Sequence, residues 1–216
     1  MIKEKSHGWN YKYASVTTIL GCLRKAGLEM WYKYNTLEFC NEESKKGKEV
    51  GTDIHTLIQQ YIEGSPMKLE TKYPAEVNNA VESFLKFKEA NPQYELKRAE
   101  IQLDCDLHKY SGQLDCMAQN GNGEIIIDWK SGKPNKKGKL VIYDEYIYQV
   151  SMYVIAYEWQ FRERISKAVI VLFDKTSVDY ITRDVSRQEI QEAFEKVCLP
   201  CLSIYNYQHK GKKEKK

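Results

Sequence analysis

The chain has 216 residues, and its 33 Lys and Arg stand against 30 Asp and Glu for a net charge of +3. Hydrophobic residues are 42% and charged residues 29%, which excludes a disordered or fibrous chain and allows a core without disulfide or metal staples. No apolar run approaches the roughly 18–20 residues of a membrane helix. No apolar stretch follows Met1-Ile2-Lys3-Glu4-Lys5, so no signal peptide is expected and a soluble, cytoplasmic protein is.

The charge is uneven. Lys210 to Lys216 hold five lysines and one glutamate, leaving a body of 28 basic and 29 acidic residues. That body is too near neutral for a general nucleic-acid coat but allows a local grip on a polyanion. The expected organisation is one domain over 1–209 with a disordered basic tail over 210–216.

From Ser15 to about Phe39 the pattern is helical, with a break near Gly27. A stronger helix is predicted from about Glu43 to Ile62, where Val50, Ile54, Leu57, Ile58, Tyr61 and Ile62 recur at three- and four-residue steps. Gly64-Ser65-Pro66 stops it. Pro74 opens another helix, with Val77, Ala80, Val81, Phe84 and Leu85 as its apolar stripe. Strands are predicted at about 94–104, 109–118 and 124–130, then a basic loop over 133–139. A helix from about Asp144 to Arg164 follows, then a buried strand over Lys167–Phe173 and its hairpin partner over Val178–Val185. Ser186 and Glu189 form a capping-box signature for a last helix. A meander followed by a helical crossover predicts an α/β fold of the α+β kind, a mixed sheet flanked by helices.

The chemistry concentrates in Glu124-Ile-Ile-Ile-Asp128-Trp129-Lys130-Ser131-Gly132. Three isoleucines mark a core strand, and core strands rarely end in an acid and an ammonium. Strand alternation puts Asp128 and Lys130 on one face. The preceding strand contributes Asp115 through an Asn-Gly-rich hairpin. A turn centred on Gly121-Asn122 sets Asp115 opposite Asp128; a shift of one residue either way sets it opposite Ile126 or Lys130. Each of these registers keeps Asp115 on the face of Asp128 and Lys130. Two neighbouring carboxylates repel unless a cation lies between them. Lys130 supplies one, and hard oxygen ligands make Mg²⁺ or Mn²⁺ the natural second. Such a pairing suits phosphodiester hydrolysis; the plainer alternative is an Asp-Lys ion pair at a strand end.

Gly112-x-x-Asp115 followed by Asp128-x-Lys130 resembles the active-site signature of the PD-(D/E)XK nuclease superfamily, and the helix–three strands–helix–strand order resembles its restriction-endonuclease-like core. Gly51-Thr-Asp-Ile-His55, Gln149-Val-Ser-Met-Tyr153 and Ser15-Val-Thr-Thr-Ile-Leu20 are similar to motifs of the RecB-like branch, which includes phage, recombination and CRISPR-associated nucleases. The resemblance spans roughly residues 13 to 175. It implies that His55, Asp115 and Asp128 hold the metal with the backbone carbonyl of Trp129. It further implies Lys130 as the catalytic lysine and Glu100 as a supporting acid. An imidazole ligand would tilt preference toward Mn²⁺.

Gln149 and Tyr153, one helical turn apart, share a face. The resemblance implies that Gln149 hydrogen-bonds near the metal site and Tyr153 contacts the nucleic-acid backbone. Lys136 and Lys137 in the basic loop, followed by Tyr143, Tyr146 and Tyr148, pair lysines for phosphates with aromatics for bases. Some RecB-like nucleases hold a [4Fe–4S] cluster on one upstream and three C-terminal cysteines. Cys22 and Cys198-x-x-Cys201 fit part of that outline, but Tyr207 occupies the fourth position, so a cluster is not expected.

The resulting expectation is a metal-dependent DNA exonuclease in a prokaryotic or viral setting. It would act on single strands or duplex ends and leave 5′-phosphate and 3′-hydroxyl products. The alternatives are a structure-specific endonuclease of the CRISPR-adaptation type and a nucleic-acid-binding module without turnover.

Overall fold

The computed structural model describes residues 11–67 and 71–210. The expected basic tail lies outside them apart from Lys210. A six-stranded mixed sheet carries helices on both faces, the arrangement of a restriction-endonuclease-like core. Its central strands are β3 (Tyr110–Asn120), β4 (Gly123–Gly132) and β5 (Ile165–Asp174). β3 and β4 form the expected hairpin, with Asn120 opposite Gly123 and Cys116 opposite Ile127. The paired register ends there, one residue short of Asp115 and Asp128. β4 and β5 run parallel, joined by the crossover helix α5 (Asp144–Phe161), and β6 (Tyr180–Ser186) closes the far edge against β5.

One edge of β3 is fully occupied by β2 (Glu95–Cys105), which pairs from Gln119 to Tyr110. The other edge must serve two partners. The two-residue β1 (Ala14–Ser15) pairs in parallel with Tyr110 and Ser111, and β4 pairs from Cys116 onward. Residues 112–115 of β3 therefore have no strand beside them on that edge. The sheet splits there.

Two apolar clusters fill the two faces. One joins α5, α1 (Val16–Leu20) and the C-terminal helices to Leu103, Tyr110, Leu114, Met117 and Ile126. The other joins α3 (Leu37–Ile62) and α4 (Ala75–Ala90) to Cys116, Ala118, Ile125, Ile127, Trp129 and Phe173. β4 obeys the two-residue alternation, with Ile126 on one side and Ile125, Ile127 and Trp129 on the other. β3 does not: Leu114 and Cys116 share a parity yet lie on opposite faces. The alternation slips at Asp115.

The helices differ from expectation mainly at the front. Residues 15–39 divide into β1, α1, α2 (Ala26–Tyr34) and the first turn of α3, which starts at Leu37 rather than near Glu43. Thr36 supplies the reason, since its hydroxyl accepts from the Phe39 amide and caps the helix. β1 carries no strand periodicity in two residues and escapes a sequence reading. α5 ends at Phe161, where Arg162 adopts the left-handed conformation and caps it. The Ser186–Glu189 capping box forms as expected and starts α6 (Arg187–Ala193), which continues through a π-helical turn at Phe194–Cys198 into α7 (Leu199–Gln208). Among the described residues no helix is long and apolar enough to cross a membrane.

Aromatic packing fixes β4 beneath α4. Phe84 meets the Trp129 ring edge-on at 5.6 Å, and Trp129 stacks on Phe173 at 5.8 Å. Phe84→Ala should therefore cost about 3–5 kcal/mol, whereas Ser186→Ala, which removes only the α6 cap, should cost about 1 kcal/mol. Urea denaturation of the two variants measures this contrast, and equal losses would contradict the packing described.

Candidate metal and phosphodiester site

The split in the sheet brings charged groups together from three elements. His55 comes from α3, Glu100 from β2 and Asp115 from the slipped position of β3. His55 Nδ1 lies 3.4 Å from Glu100 Oε1 and 3.5 Å from Asp115 Oδ1. One donor atom from each residue falls within 4.8 Å of the others, a span that a single metal ion can bridge. The other Asp115 oxygen, Oδ2, accepts the Trp129 amide at 2.8 Å. A side chain thus takes the place of the ladder bond that β4 no longer makes there.

Glu100 is held in a costly conformation. Its φ is 50°, in the left-handed region that a non-glycine residue adopts at a cost of about 1–2 kcal/mol. It falls opposite Asp115 in the β2–β3 register, between the Ala99–Cys116 and Ile101–Leu114 pairs. Gln113 donates to the Glu100 carboxylate from the neighbouring strand. Backbone strain of this kind persists where the surroundings fix it, and here it aims the carboxylate at His55.

Asp128 and Lys130 stand beside this triangle on β4. Asp128 is fully buried, with Oδ2 in an ion pair 2.5 Å from the Lys130 ammonium and neither oxygen in hydrogen-bond geometry with a partner. Burial pushes the Asp128 carboxyl well above the usual carboxylate range, Lys130 pulls it back only in part, and Asp115 pushes it further. Burial opposes the charge on Lys130, but Asp128 and Asp115 outweigh it and keep the ammonium protonated. The Tyr146 ring lies 5.4 Å from that ammonium and covers it. Burial likewise opposes charge on His55, yet Asp115 and Glu100 together lift the imidazole to about 9.

The charge balance tests the fit of a metal. With a neutral imidazole, as a ligand must be, three ionised carboxylates and one ammonium leave the site at −2, which one divalent cation neutralises. An imidazole with two carboxylates is a donor set for Mn²⁺ or Mg²⁺. The residues fit.

The three donor groups that lie within 4.8 Å of one another are His55, Glu100 and Asp115, while Asp128 lies beside them against Lys130. Trp129 contributes its amide to Asp115 and its ring to the core under α4. Gln149 donates to the Tyr153 hydroxyl at 2.7 Å. Tyr153 is only 5% exposed, and burial with Asp128 and Asp115 nearby pushes its hydroxyl well above its usual range. Lys136 and Lys137 are exposed on a loop folded around Asn135, whose side chain accepts the Lys137 amide, with Gly138 at φ 71° closing the turn. Cys198 and Cys201 are buried and Cys22 is exposed; burial pushes the Cys198 and Cys201 thiols up to about 12.

Two contacts were hidden from the sequence. The Tyr146 cover over Lys130 requires the crossover helix to begin directly above β4, and Gln113 reaches Glu100 only across the β2–β3 pair. The Gly112 requirement is a third. A Cβ there would lie 2.7 Å from Tyr153 Cε1 and 3.2 Å from Val16 Cγ2, so the glycine of Gly112-x-x-Asp115 and the tyrosine of Gln149-x-x-x-Tyr153 are one packing unit.

No protein-family model and no curated protein matches the chain. Solved structures with a similar arrangement include a candidate exonuclease from Eubacterium rectale, with a TM-score of 0.48 and 16% identity. The match covers 73% of this chain and 66% of that one, so the chain spans just under two thirds of its length. An alkaline exonuclease from Laribacter hongkongensis matches with a TM-score of 0.40 and 10% identity, over 92% of this chain and 94% of its own.

Gly112→Ala should destabilise the fold by about 1–3 kcal/mol through overpacking. Tyr153→Leu in the same chain should recover part of that loss, because the clash is with the ring. Denaturation of the two single variants and the double variant gives the coupling; strictly additive losses would show that Gly112 and Tyr153 do not constrain each other.

Proposed function

We propose that this protein is a metal-dependent nuclease that hydrolyses DNA phosphodiester bonds, acting as an exonuclease on single strands or duplex ends. The observation that carries this reading is the convergence of His55, Glu100 and Asp115 within 4.8 Å, beside the buried Asp128–Lys130 pair, where the sheet splits. A structural ion pair would need neither a third carboxylate nor strained backbone at Glu100.

His55, Glu100 and Asp115 would hold Mg²⁺ or Mn²⁺, joined by Asp128 and the Trp129 carbonyl on the β4 side. When bound, the ion supplies positive charge at the scissile phosphate and acidifies the attacking water. Lys130, kept protonated by Asp128 and Asp115, donates to the phosphate or the water and offsets charge that develops during attack. Tyr146 keeps bulk water from the ammonium and so strengthens that interaction. Gln149 orients the Tyr153 hydroxyl toward the same charged cluster. Lys136 and Lys137 would meet backbone phosphates farther along the strand.

The binding-module alternative fails to explain a buried carboxyl kept beside two others, since such repulsion costs stability unless a cation is recruited. End-labelled single- and double-stranded DNA with Mn²⁺ or Mg²⁺ tests the reading. The wild type should release nucleotides from an end, and Asp128→Asn should reduce the rate at least about 100-fold, the scale for losing one transition-state contact, while remaining folded. Cleavage at internal sites alone would select the endonuclease alternative. A wild type that cleaves no DNA with either metal, or an Asp128→Asn variant as active as wild type, would contradict the proposal.

A further inference from the structure

A hollow of about 240 Å³ opens beyond the ends of β4 and β5, lined by Trp31, by Lys46, Lys133 and Lys175, and by Glu43 and Glu76. Lys133 follows the last residue of β4, Lys175 follows the last residue of β5, and the Lys175 amide donates to the Gly132 carbonyl at 2.9 Å. The carboxyl ends of adjacent parallel strands are where open α/β sheets place ligands. Lys46 and Lys133 share the Glu76 carboxylate at 3.0 and 3.7 Å. Lys175 is less well balanced: among the described residues its half-buried ammonium has no hydrogen-bond or ion-pair partner. Burial first, then Lys133 and Lys46, push its pKa down, and the charges of Glu76 and Glu43 offset them only in part. An anion placed in the hollow would remove that repulsion.

A bare helix face connects the hollow to the metal site. Gly47, Gly51 and His55 follow one another at four-residue steps on α3 and share a face. A Cβ at Gly47 or Gly51 would meet nothing within 4 Å. Packing therefore does not require these glycines, although each weakens the helix relative to alanine. Glycine in such a place lets a ligand come close to the backbone. At 1.5 Å per residue the track from His55 to Gly47 is about 12 Å long, and it ends at Trp31, whose ring also leans on the exposed Phe39 at 6.4 Å.

We propose that this track carries a single DNA strand away from the metal site, with Lys175, Lys133 and Lys46 holding a backbone phosphate and Trp31 stacking on a base. The inference rests on the nuclease reading for its substrate class. It adds a binding site on α2, α3 and the ends of β4 and β5 that does not use Lys136 or Lys137.

The test is binding of fluorescein-labelled oligothymidylate to the full chain in EDTA, where hydrolysis plays no part, across a range of salt. Trp31→Ala should weaken binding about 5- to 150-fold, the range for loss of one base stack. Lys175→Gln should lower the slope of log affinity against log salt by about 0.7, the share of one phosphate contact to a single strand. Gly47→Gln should raise the melting temperature by about 2–4 °C through helix propensity while weakening binding, a combination that no purely structural role gives. Wild-type affinity and salt slope in Lys175→Gln and Gly47→Gln would overturn the proposal, whether or not Trp31→Ala folds. If the wild type cleaves DNA but these variants bind normally, the strand track is wrong and the nuclease reading stands. If it cleaves nothing yet binds in this variant-sensitive way, the track stands and the nuclease reading fails.

Discussion

The structure turns on the bond from the Trp129 amide to the Asp115 carboxylate, made where β3 and β4 part. A backbone donor at the centre of a sheet must find an acceptor. Here it finds a side chain, and this allows the strands to separate without leaving the amide unpaired. The slip in β3 alternation and the left-handed Glu100 opposite it follow from the same departure. The other Asp115 oxygen is thereby turned toward His55 of α3. One carboxylate thus closes a backbone defect and opens a site.

The cost of that site is electrostatic. Glu100, Asp115 and Asp128, with side chains 15%, 10% and 0% exposed, gather against Lys130 and His55. Buried like charges push one another's pKa apart and destabilise the fold unless cations balance them. Lys130 and a protonated His55 do part of this. The remaining imbalance is the kind that a divalent ion removes. Around the cluster the fold is rigid: Phe84, Trp129 and Phe173 pack beneath β4, and Tyr153 seals Gly112 above β3. Rigid support on both faces is what a preorganised site requires.

Much of this was legible in the residues because local signals agreed with one another. The Asn-Gly hairpin was legible, and of the three registers it allows the structure takes the one centred on Gly121-Asn122, with Asn120 opposite Gly123. The capping box at Ser186 and the periodicity of α3 were equally local. Illegible features depended on tertiary geometry. Strict alternation puts Asp115 on one face, but β3 slips at that residue, between the stretch paired with β1 and the stretch paired with β4. Glu100 joins His55 and Asp115 through a backbone conformation that glutamate composition does not announce. The hollow at Lys175 lay beyond a sequence reading because its residues come from three helices and two strand ends.

In the function proposed above, His55 and its two neighbouring carboxylates bind one divalent ion. Pulsed electron paramagnetic resonance of the protein with one equivalent of Mn²⁺ tests this most directly, because a coordinated imidazole leaves a nitrogen modulation on the manganese echo. The expected result is that modulation in the wild type, its loss in His55→Gln, and weaker Mn²⁺ binding in Asp115→Asn. A wild-type spectrum identical to that of hexaaquo Mn²⁺, or nitrogen modulation that survives in His55→Gln, would contradict it.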